Sequence, residues 1–429
     1  MRFTTFKNRV IPLLALPAAL VVGQGQQQEE ETSERKTLGD FALSKILRDG
    51  REIFGDDSSS SSSSYPTTTT ITTTTRHENW MAALPDSIPL TQLNIPGTHD
   101  TATWNYSQAT QDGLRHASRC DGTIPGIARV YRCQRRSISE SLDMGIRFFD
   151  LRFALDPLGE DLVFWHGPAL LSAEAGVEDV LYGFYEWLER HGSETVVLSF
   201  QYEGSTVLGA ENDEKVQREL FEILTSEVAG RFVYQGRGVV PTLGEARGKI
   251  LLFRRFDLDA LVPEERFEGM MPGLHMSPKK WMDNDSEGFE LVYNVSTNGT
   301  AHVEDFYHPS THLSVKGNIE AKFEAAVNHL EKAAEGEYEK LFVTFTSGVH
   351  VEIIPPVYPE IMALGPKPAS TFWSESESES SHVQYAEAVE GVNYQLHDFL
   401  KGMRGKRLGI VVMDFFEEPE GLIDLLLDF

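Results

Sequence analysis

The chain has 429 residues with 65 acidic against 38 basic side chains, a formal net charge of −27. That balance argues against nucleic acid as a partner, because phosphate backbones are held by clustered Lys and Arg. Hydrophobic residues at 41% and aromatics at 10% suffice for a buried core, while two cysteines, Cys120 and Cys133, exclude a disulfide-rich scaffold, an iron–sulfur cluster and a four-cysteine zinc site.

The first residues read as an export signal. Arg2, Lys7 and Arg9 precede an apolar run over 10–22, and small residues near Gly23 suit cleavage. The run is shorter than the about 20 apolar residues of a bilayer-spanning helix, so 1–23 is expected to be a signal peptide and the protein to be secreted. Sequons beginning at Asn105, Asn284, Asn294 and Asn298 agree with an exported glycoprotein. In that oxidising compartment Cys120 and Cys133 are expected to pair, two buried free thiols being the alternative. Residues 24–80 turn polar, with a serine run over 58–64 and a threonine tract over 67–75 broken at Ile71. Such a composition buries too little apolar surface to fold and predicts a flexible linker. The folded domain is then 81–429. A second biased stretch, 374–381, alternates serine with glutamate and reads as a solvated insertion in the long connection 347–385.

Beyond the linker, short apolar runs alternate with longer helical patterns. Strands are expected over 91–95, 145–153, 161–165, 195–202, 249–256, 289–295, 341–346 and 408–415, and helices over 177–190, 213–228, 318–335 and 385–401. Near-continuous apolar runs are what parallel strands covered on both faces require. Eight of them with intervening helices predict an α/β fold, a distorted (β/α)₈ TIM-type barrel, with a doubly wound open sheet as the alternative. Chemically capable residues cluster at the carboxyl ends of these strands: His99, Asp100, Asp150, Arg152, His166, Gln201, Arg255, Asp305, Tyr307 and Asp414. In a parallel barrel those ends converge on one mouth, where active sites of the fold are built.

The ordered stretches Asn94-Ile95-Pro96-Gly97-Thr98-His99-Asp100, Gly145-Ile146-Arg147-Phe148-Phe149-Asp150-Leu151-Arg152, His166-Gly167-Pro168 and Ser193-Glu194-Thr195-Val196-Val197-Leu198-Ser199 resemble the X domain of phosphatidylinositol-specific phospholipase C. The secreted, metal-independent bacterial branch is the nearest in pattern. The match continues through Ala246–Arg255, Glu304–Tyr307 and Val411–Asp414.

The resemblance implies cleavage of phosphatidylinositol or a glycosylphosphatidylinositol to diacylglycerol and inositol 1,2-cyclic phosphate. His99 would be the general base and His166 the general acid, since imidazoles titrate near neutrality. Asp414 would orient His99, with Asp100 and Asp150 on the other side of the site near Arg152 and His166. Where calcium-dependent relatives place a metal-binding carboxylate, Arg152 supplies a guanidinium that grips phosphate oxygens, so no cofactor or metal is expected. Arg255, Asp305 and Tyr307 match positions that hold inositol. Gln201 stands where that branch has a lysine, and it supplies no positive charge.

The implied partner is a membrane lipid, met by a monomer through transient contact with the membrane surface, with Val357, Tyr358, Ile361, Phe372 and Trp373 as a candidate inserting cluster. A metal-assisted glycerophosphodiester or sphingolipid phosphodiesterase and a non-catalytic headgroup-binding protein are the alternatives. Gly244–Ile250 resembles a nucleotide-binding loop but is one residue short and lacks the hydroxyl for Mg²⁺. His308 and His312 have i, i+4 spacing without an HExxH context, which favours a loop role over zinc. No GxSxG elbow is present.

Overall fold

The apolar runs bury both faces, except for 289–295, where Glu290 and Val292 are exposed. A computed structural model describes residues 48–55, 77–117, 126–204, 206, 207, 209–263, 266–309, 312–366 and 389–428. Its strands are β1 (Ile95–Thr98), β2 (Phe148–Leu155), β3 (Leu162–His166), β4 (Ala169–Leu170), β5 (Thr195–Tyr202) and β6 (Lys249–Arg255). They are followed by β7 (Leu274–His275), β8 (Phe289–Asn294), β9 (Gly299–Glu304), β10 (Leu341–Phe345) and β11 (Ile410–Met413). Eight are parallel and run β7-β6-β5-β2-β1-β11-β10-β9, so neighbours along the chain are neighbours around the barrel. β8 runs antiparallel to β9 and fills the seam towards β7, to which no ladder joins it among the described residues. The TIM-type barrel expected from the strand pattern is present, opened at one seam.

Two of the expected barrel strands are real but take other places. The 161–165 run is β3, the return arm of a hairpin on β2 (Phe153 opposite Phe164), and the 289–295 run is β8. Their barrel positions belong to β7 and β9. A two-residue strand leaves no periodic signature. The first strand also starts later than expected, because residues 90–92 form a 3₁₀ turn and β1 is the Ile-Pro-Gly-Thr segment itself. A side chain at Gly97 would place its Cβ 2.9 Å from Phe148 Cβ, so only glycine lets β1 approach β2 this closely.

Side-chain parity accounts for the double burial. Ile95, Phe148, Val197, Leu251, Phe253, Ala301, Val303, Leu341, Val343, Phe345, Ile410 and Val412 fill one apolar cluster inside the barrel. Their chain neighbours Phe149, Leu151, Val196, Leu198, Ile250, Leu252, Val411 and Met413 pack outward into a second cluster shared with the helices. The helix Val177–Arg190 supplies Val177, Val180, Leu181, Phe184, Trp187 and Leu188 to it at three- and four-residue spacing. Full burial of such side chains contributes about 1.5–3 kcal/mol each. At the amino-terminal ends of β2 and β5, the fully buried Arg147 donates to Glu194 at 2.8 Å and 3.1 Å and to the carbonyls of Leu142 and Ile146. The charges are therefore matched where water is excluded.

Several sequence expectations meet a different structure. Within the stretch expected to be linker, residues 48–54 are helical and bury Ile53 and Phe54 in the outer cluster, with the Phe54 ring 5.2 Å from that of Phe184. The signal segment and the Ser/Thr tracts lie outside the described residues. Val357, Tyr358 and Ile361 do not form an inserting surface: they are buried with Val315, Ile319 and Val392, because the connection after β10 folds back on the helix Val315–Ala334. Phe372 and Trp373 lie outside the described residues. Asn294 is buried, its amide donating to the Gly238 carbonyl at 2.8 Å, so this sequon cannot carry a glycan in the folded chain. No helix among the described residues is long and apolar enough to cross a membrane.

Candidate active site at the barrel mouth

The lumen parity that places apolar side chains inside the barrel continues into charge at its carboxyl-terminal end. Phe148 is followed at two-residue steps by Asp150 and Arg152, Val197 by Ser199, Gln201 and Glu203, Phe253 by Arg255, Val303 by Asp305, Val412 by Asp414, and Ile95 by Gly97 and His99. Strand ladders set their heights, since Arg152 pairs with Gln201 and Gln201 with Arg255. A cavity of about 320 Å³ opens there, lined by His99, Cys133, Arg152, His166, Gln201, Arg255, Asp305, Tyr307 and Asp414 with Trp281 and Asp283.

His99 directly follows β1. Its Nδ1 donates to Asp414 Oδ1 at 2.9 Å, while its Nε2 lies 2.9 Å from Arg152 Nη2 and 3.2 Å from Asp100 Oδ2. Asp100 holds a left-handed backbone (φ 41°), unusual without glycine, and its amide donates to Asp150 Oδ2 at 3.3 Å. Arg152 is the hub of the pocket: Nε lies 3.1 Å from Asp100 Oδ1 and 3.4 Å from Asp150 Oδ2, and Nη1 lies 3.6 Å from Glu203 Oε2. His166 enters from the antiparallel hairpin rather than from a parallel barrel strand. β2 extends past the mouth and β3 returns towards it, so His166 Nε2 comes 3.3 Å from Asp100 Oδ2 while Nδ1 donates to the Tyr131 carbonyl at 2.8 Å. The two imidazole centroids are 6.3 Å apart and nearly perpendicular.

The far wall is built by Arg255, which lies 3.3 Å from Asp150 Oδ1 and 3.8 Å from Asp305 Oδ2, its guanidinium 3.7 Å over the Trp281 ring. Trp281 Nε1 donates to Asp305 Oδ2 at 2.9 Å, and the Tyr307 hydroxyl donates to Asp283 Oδ1 at 2.9 Å. Asp305 and Tyr307 follow β9, not the 289–295 strand from which they were expected to emerge. Cys133 is buried and lines the same cavity, and its expected partner Cys120 lies outside the described residues.

Burial opposes charge on both imidazoles, but their neighbours drive them apart. For His99, Asp414 and Asp100 outweigh burial and raise the pKa above its ordinary value. For His166, burial together with the positive charge of Arg152 pushes it down to about 4. Burial raises the carboxyls of Asp100 and Asp414, whereas Asp150 is held low, against burial, by Arg152 and Arg255. Buried oxygens of Gln201 (Oε1), Glu203 (Oε2) and Asp414 (Oδ2) have no hydrogen-bond partner among the described residues. The pocket thus presents acceptors suited to hydroxyl donors beside two guanidiniums suited to an anion. Donor atoms of His99, Asp100 and Asp150, or of His99, Cys133 and Asp414, lie close enough for a metal ion, yet Arg152 Nη2 and Nε stand in contact with these sets and oppose a cation there.

Sequence reasoning missed Glu203, Trp281 and Asp283. Glu203 carries a signal, since it is two residues beyond Gln201 and shares its face. Trp281 and Asp283 sit in the irregular β7–β8 connection, which has no period to read.

Residues 128–256 match the model of the phosphatidylinositol-specific phospholipase C X domain. Over those residues the chain resembles the X domain of this family. It is 31% identical over 215 residues to PI-PLC X domain-containing protein 1 of Homo sapiens, covering 46% of this chain and 62% of that protein. It is 28% identical over 281 residues to a 1-phosphatidylinositol phosphodiesterase of Staphylococcus aureus, covering 63% and 75%. A solved phosphatidylinositol-specific phospholipase C variant from S. aureus superposes with TM-score 0.58 at 20% identity over 83% of this chain and 98% of that one. The enzyme from Listeria monocytogenes gives 0.53 at 20% identity over 82% and 98%. At that identity the solved structures speak for the barrel alone. The X-domain match ends at Arg255 and Phe256, whereas Asp305, Tyr307 and Asp414 reach the same mouth from strands beyond it.

Proposed function

We propose that the chain is a phosphodiesterase that cleaves phosphatidylinositol or a glycosylphosphatidylinositol to diacylglycerol and inositol 1,2-cyclic phosphate, by general acid–base catalysis without a metal ion. The observation that carries this reading is that two imidazoles from distant segments turn their Nε2 atoms towards one carboxylate oxygen beside one guanidinium.

With Nδ1 donating to Asp414, the His99 Nε2 lone pair, which accepts from Arg152 Nη2 in this structure, takes the proton of the inositol 2-hydroxyl as that oxygen attacks phosphorus. The bond from phosphorus to the diacylglycerol oxygen breaks, and His166 Nε2 supplies the proton that oxygen needs. His166 is neutral near pH 7 in this structure. A bound phosphodiester brings a negative charge beside it, which offsets Arg152 and raises the imidazole towards its acid form. Arg152 holds the phosphoryl oxygens as charge builds on them, and a positioned acid or base contributes about 10²- to 10⁴-fold in rate. Arg255, Asp305, Tyr307 and the unpartnered oxygen of Gln201 hold the ring hydroxyls. Gln201 lies between Arg152 and Arg255 on the flanking strands, so an amide there lowers the positive charge facing the headgroup and shifts recognition towards hydroxyl hydrogen bonding.

The proposal includes secretion after removal of residues 1–23, a Ser/Thr-rich tract between signal and barrel, and action by a monomer at a membrane surface. The Staphylococcus and Listeria relatives named 1-phosphatidylinositol phosphodiesterase support the substrate class. The test is incubation of the purified protein with phosphatidylinositol vesicles in excess chelator, followed by ³¹P NMR. Inositol 1,2-cyclic phosphate is expected. Activity that appears only after a divalent ion is restored would favour a metal-assisted phosphodiesterase, and binding without turnover would favour a headgroup-binding protein.

A further inference from the structure

Outside the catalytic pocket, the loop after β9 and the loop after β10 bring His308, His350 and Glu352 together, one potential ligand atom from each lying within 4.8 Å of the other two. His308 Nε2 is 3.0 Å and His350 Nε2 is 4.0 Å from Glu352 Oε2, and the two imidazole centroids are 4.6 Å apart. In a tetrahedral zinc site with bonds of about 2.1 Å, ligand atoms stand about 3.4 Å apart. The observed separations straddle that value.

The His350 imidazole is held from behind, and His308 through its backbone. Asn318 Nδ2 donates to the carbonyls of His312 and Ser314, each at 2.8 Å, which fixes its Oδ1 as an acceptor facing His350 Nδ1 at 2.8 Å. His350 must then carry its proton on Nδ1, and its Nε2 presents a lone pair towards the Glu352 carboxylate. His350 is 3% exposed, while Glu352 and His308 open the cluster to solvent, so the lone pair faces an acceptor at a place an ion can reach. The Nδ1–amide contact is the outer-shell support that orients metal-binding histidines. The backbone at His308 is clamped in the same way, its amide donating to Asn284 Oδ1 at 2.8 Å and its carbonyl accepting from Asn284 Nδ2 at 2.7 Å.

We propose that His308 Nε2, His350 Nε2 and Glu352 bind a zinc-type divalent transition ion, with water completing the tetrahedron. Two imidazoles and one carboxylate are a ligand set that zinc accepts, and they are too nitrogen-rich for Ca²⁺ or Mg²⁺. The ion ties together the loops that carry Tyr307 on one side and Gly348 and Val349 on the other, which already share the bond from the Val349 amide to the Tyr307 carbonyl at 2.8 Å. It therefore stiffens the rim of the pocket rather than entering the reaction. This inference does not rest on the proposed catalysis, and its test reads metal binding directly.

The full chain is freed of metal and titrated with Zn²⁺ against a chromophoric chelator, and with Co²⁺ while the visible absorption is followed. One ion per chain and a tetrahedral Co²⁺ spectrum are expected, with Ca²⁺ and Mg²⁺ failing to compete. Glu352 and His308 are the more exposed ligands, so Glu352→Ala and His308→Ala are the informative variants, each weakening Zn²⁺ at least about 10-fold. Circular dichroism confirms that they fold. Two outcomes overturn the proposal: wild-type protein that binds no Zn²⁺, or binding that survives both variants and is lost in Cys133→Ser, which would place the ion in the catalytic pocket.

Discussion

Replacing Arg152 by lysine separates the charge of this side chain from its geometry. The guanidinium makes four directed contacts, with Nε 3.1 Å from Asp100 and 3.4 Å from Asp150, Nη1 3.6 Å from Glu203 and Nη2 2.9 Å from His99 Nε2. An ammonium keeps the charge among the three carboxylates, so Asp100, Asp150 and Glu203 stay compensated and the unfolding free energy from urea titration should fall by no more than about 1–2 kcal/mol. It cannot hold His99 and two phosphoryl oxygens at once. A hydrogen bond to a charged group contributes about 1.5–3 kcal/mol. The loss of two made only in the transition state therefore costs about 3–6 kcal/mol, a fall in kcat of about 10²-fold or more. The assay is the initial rate of cyclic phosphate release from saturating phosphatidylinositol, with the urea midpoint measured on the same preparation. Arg152→Ala would be uninformative because it takes the guanidinium from the buried Asp100 and Asp150 and the partly buried Glu203 at once. A folded Arg152→Lys protein with kcat within about threefold of wild type, under 1 kcal/mol, would refute the role given to the guanidinium.

Trp281→Leu removes the ring 3.7 Å under Arg255 and the donor to Asp305. It should raise KM about 10-fold with little change in kcat, since a desolvated cation–π contact contributes about 2 kcal/mol or less; an effect confined to kcat would place Trp281 in the chemistry instead. Glu194→Gln leaves Arg147 charged and fully buried, and a urea titration should show a loss of about 3–5 kcal/mol with activity per folded molecule unchanged. His329, hydrogen-bonded to Thr344 Oγ1 at 2.8 Å, is pushed by burial down to about 3, and His166 to about 4. Both are neutral when folded and bind a proton near pH 6.5 when unfolded. Their contribution is complete above pH 6.5 and is lost as pH falls towards 4, at about 1.4 kcal/mol per pH unit for each. His329→Gln should flatten the fall in urea midpoint between pH 6 and pH 5 relative to wild type, and an unchanged slope would show that His329 is not held neutral.

The barrel was legible because parallel strands buried on both faces leave continuous apolar runs, and Val196–Phe200 or Leu341–Phe345 can hardly be anything else. Their two-residue parity also placed most of the site, since Asp150, Arg152, Gln201, Arg255 and Asp414 are the next lumen-facing residues after Phe148, Val197, Phe253 and Val412. What escaped depends on chain reversals. A hairpin return such as β3 has the same apolar pattern as a barrel strand, so only the ladder reveals that His166 descends into the mouth from above. The Leu274–His275 strand is too short to register, and Trp281 and Asp283 lie on irregular backbone. His308 pairs with His350 and Glu352 rather than with His312, a contact between two loops that helical spacing could not disclose. The burial of Tyr358 and Ile361 follows from the fold-back after β10, where an apolar cluster reads equally as core or as exposed surface.

In the proposed reaction His99 takes a proton and His166 gives one, in a single pocket around Arg152. The most direct measurement compares His99→Ala and His166→Ala on two inositol phosphodiesters, one with an alkoxide leaving group and one with an activated phenol that departs without protonation. Both variants should lose about 10²- to 10⁴-fold on the alkoxide substrate, and only His166→Ala should recover most of its rate on the phenol. Equal losses for both variants on both substrates, or recovery by His99→Ala instead, would contradict these roles.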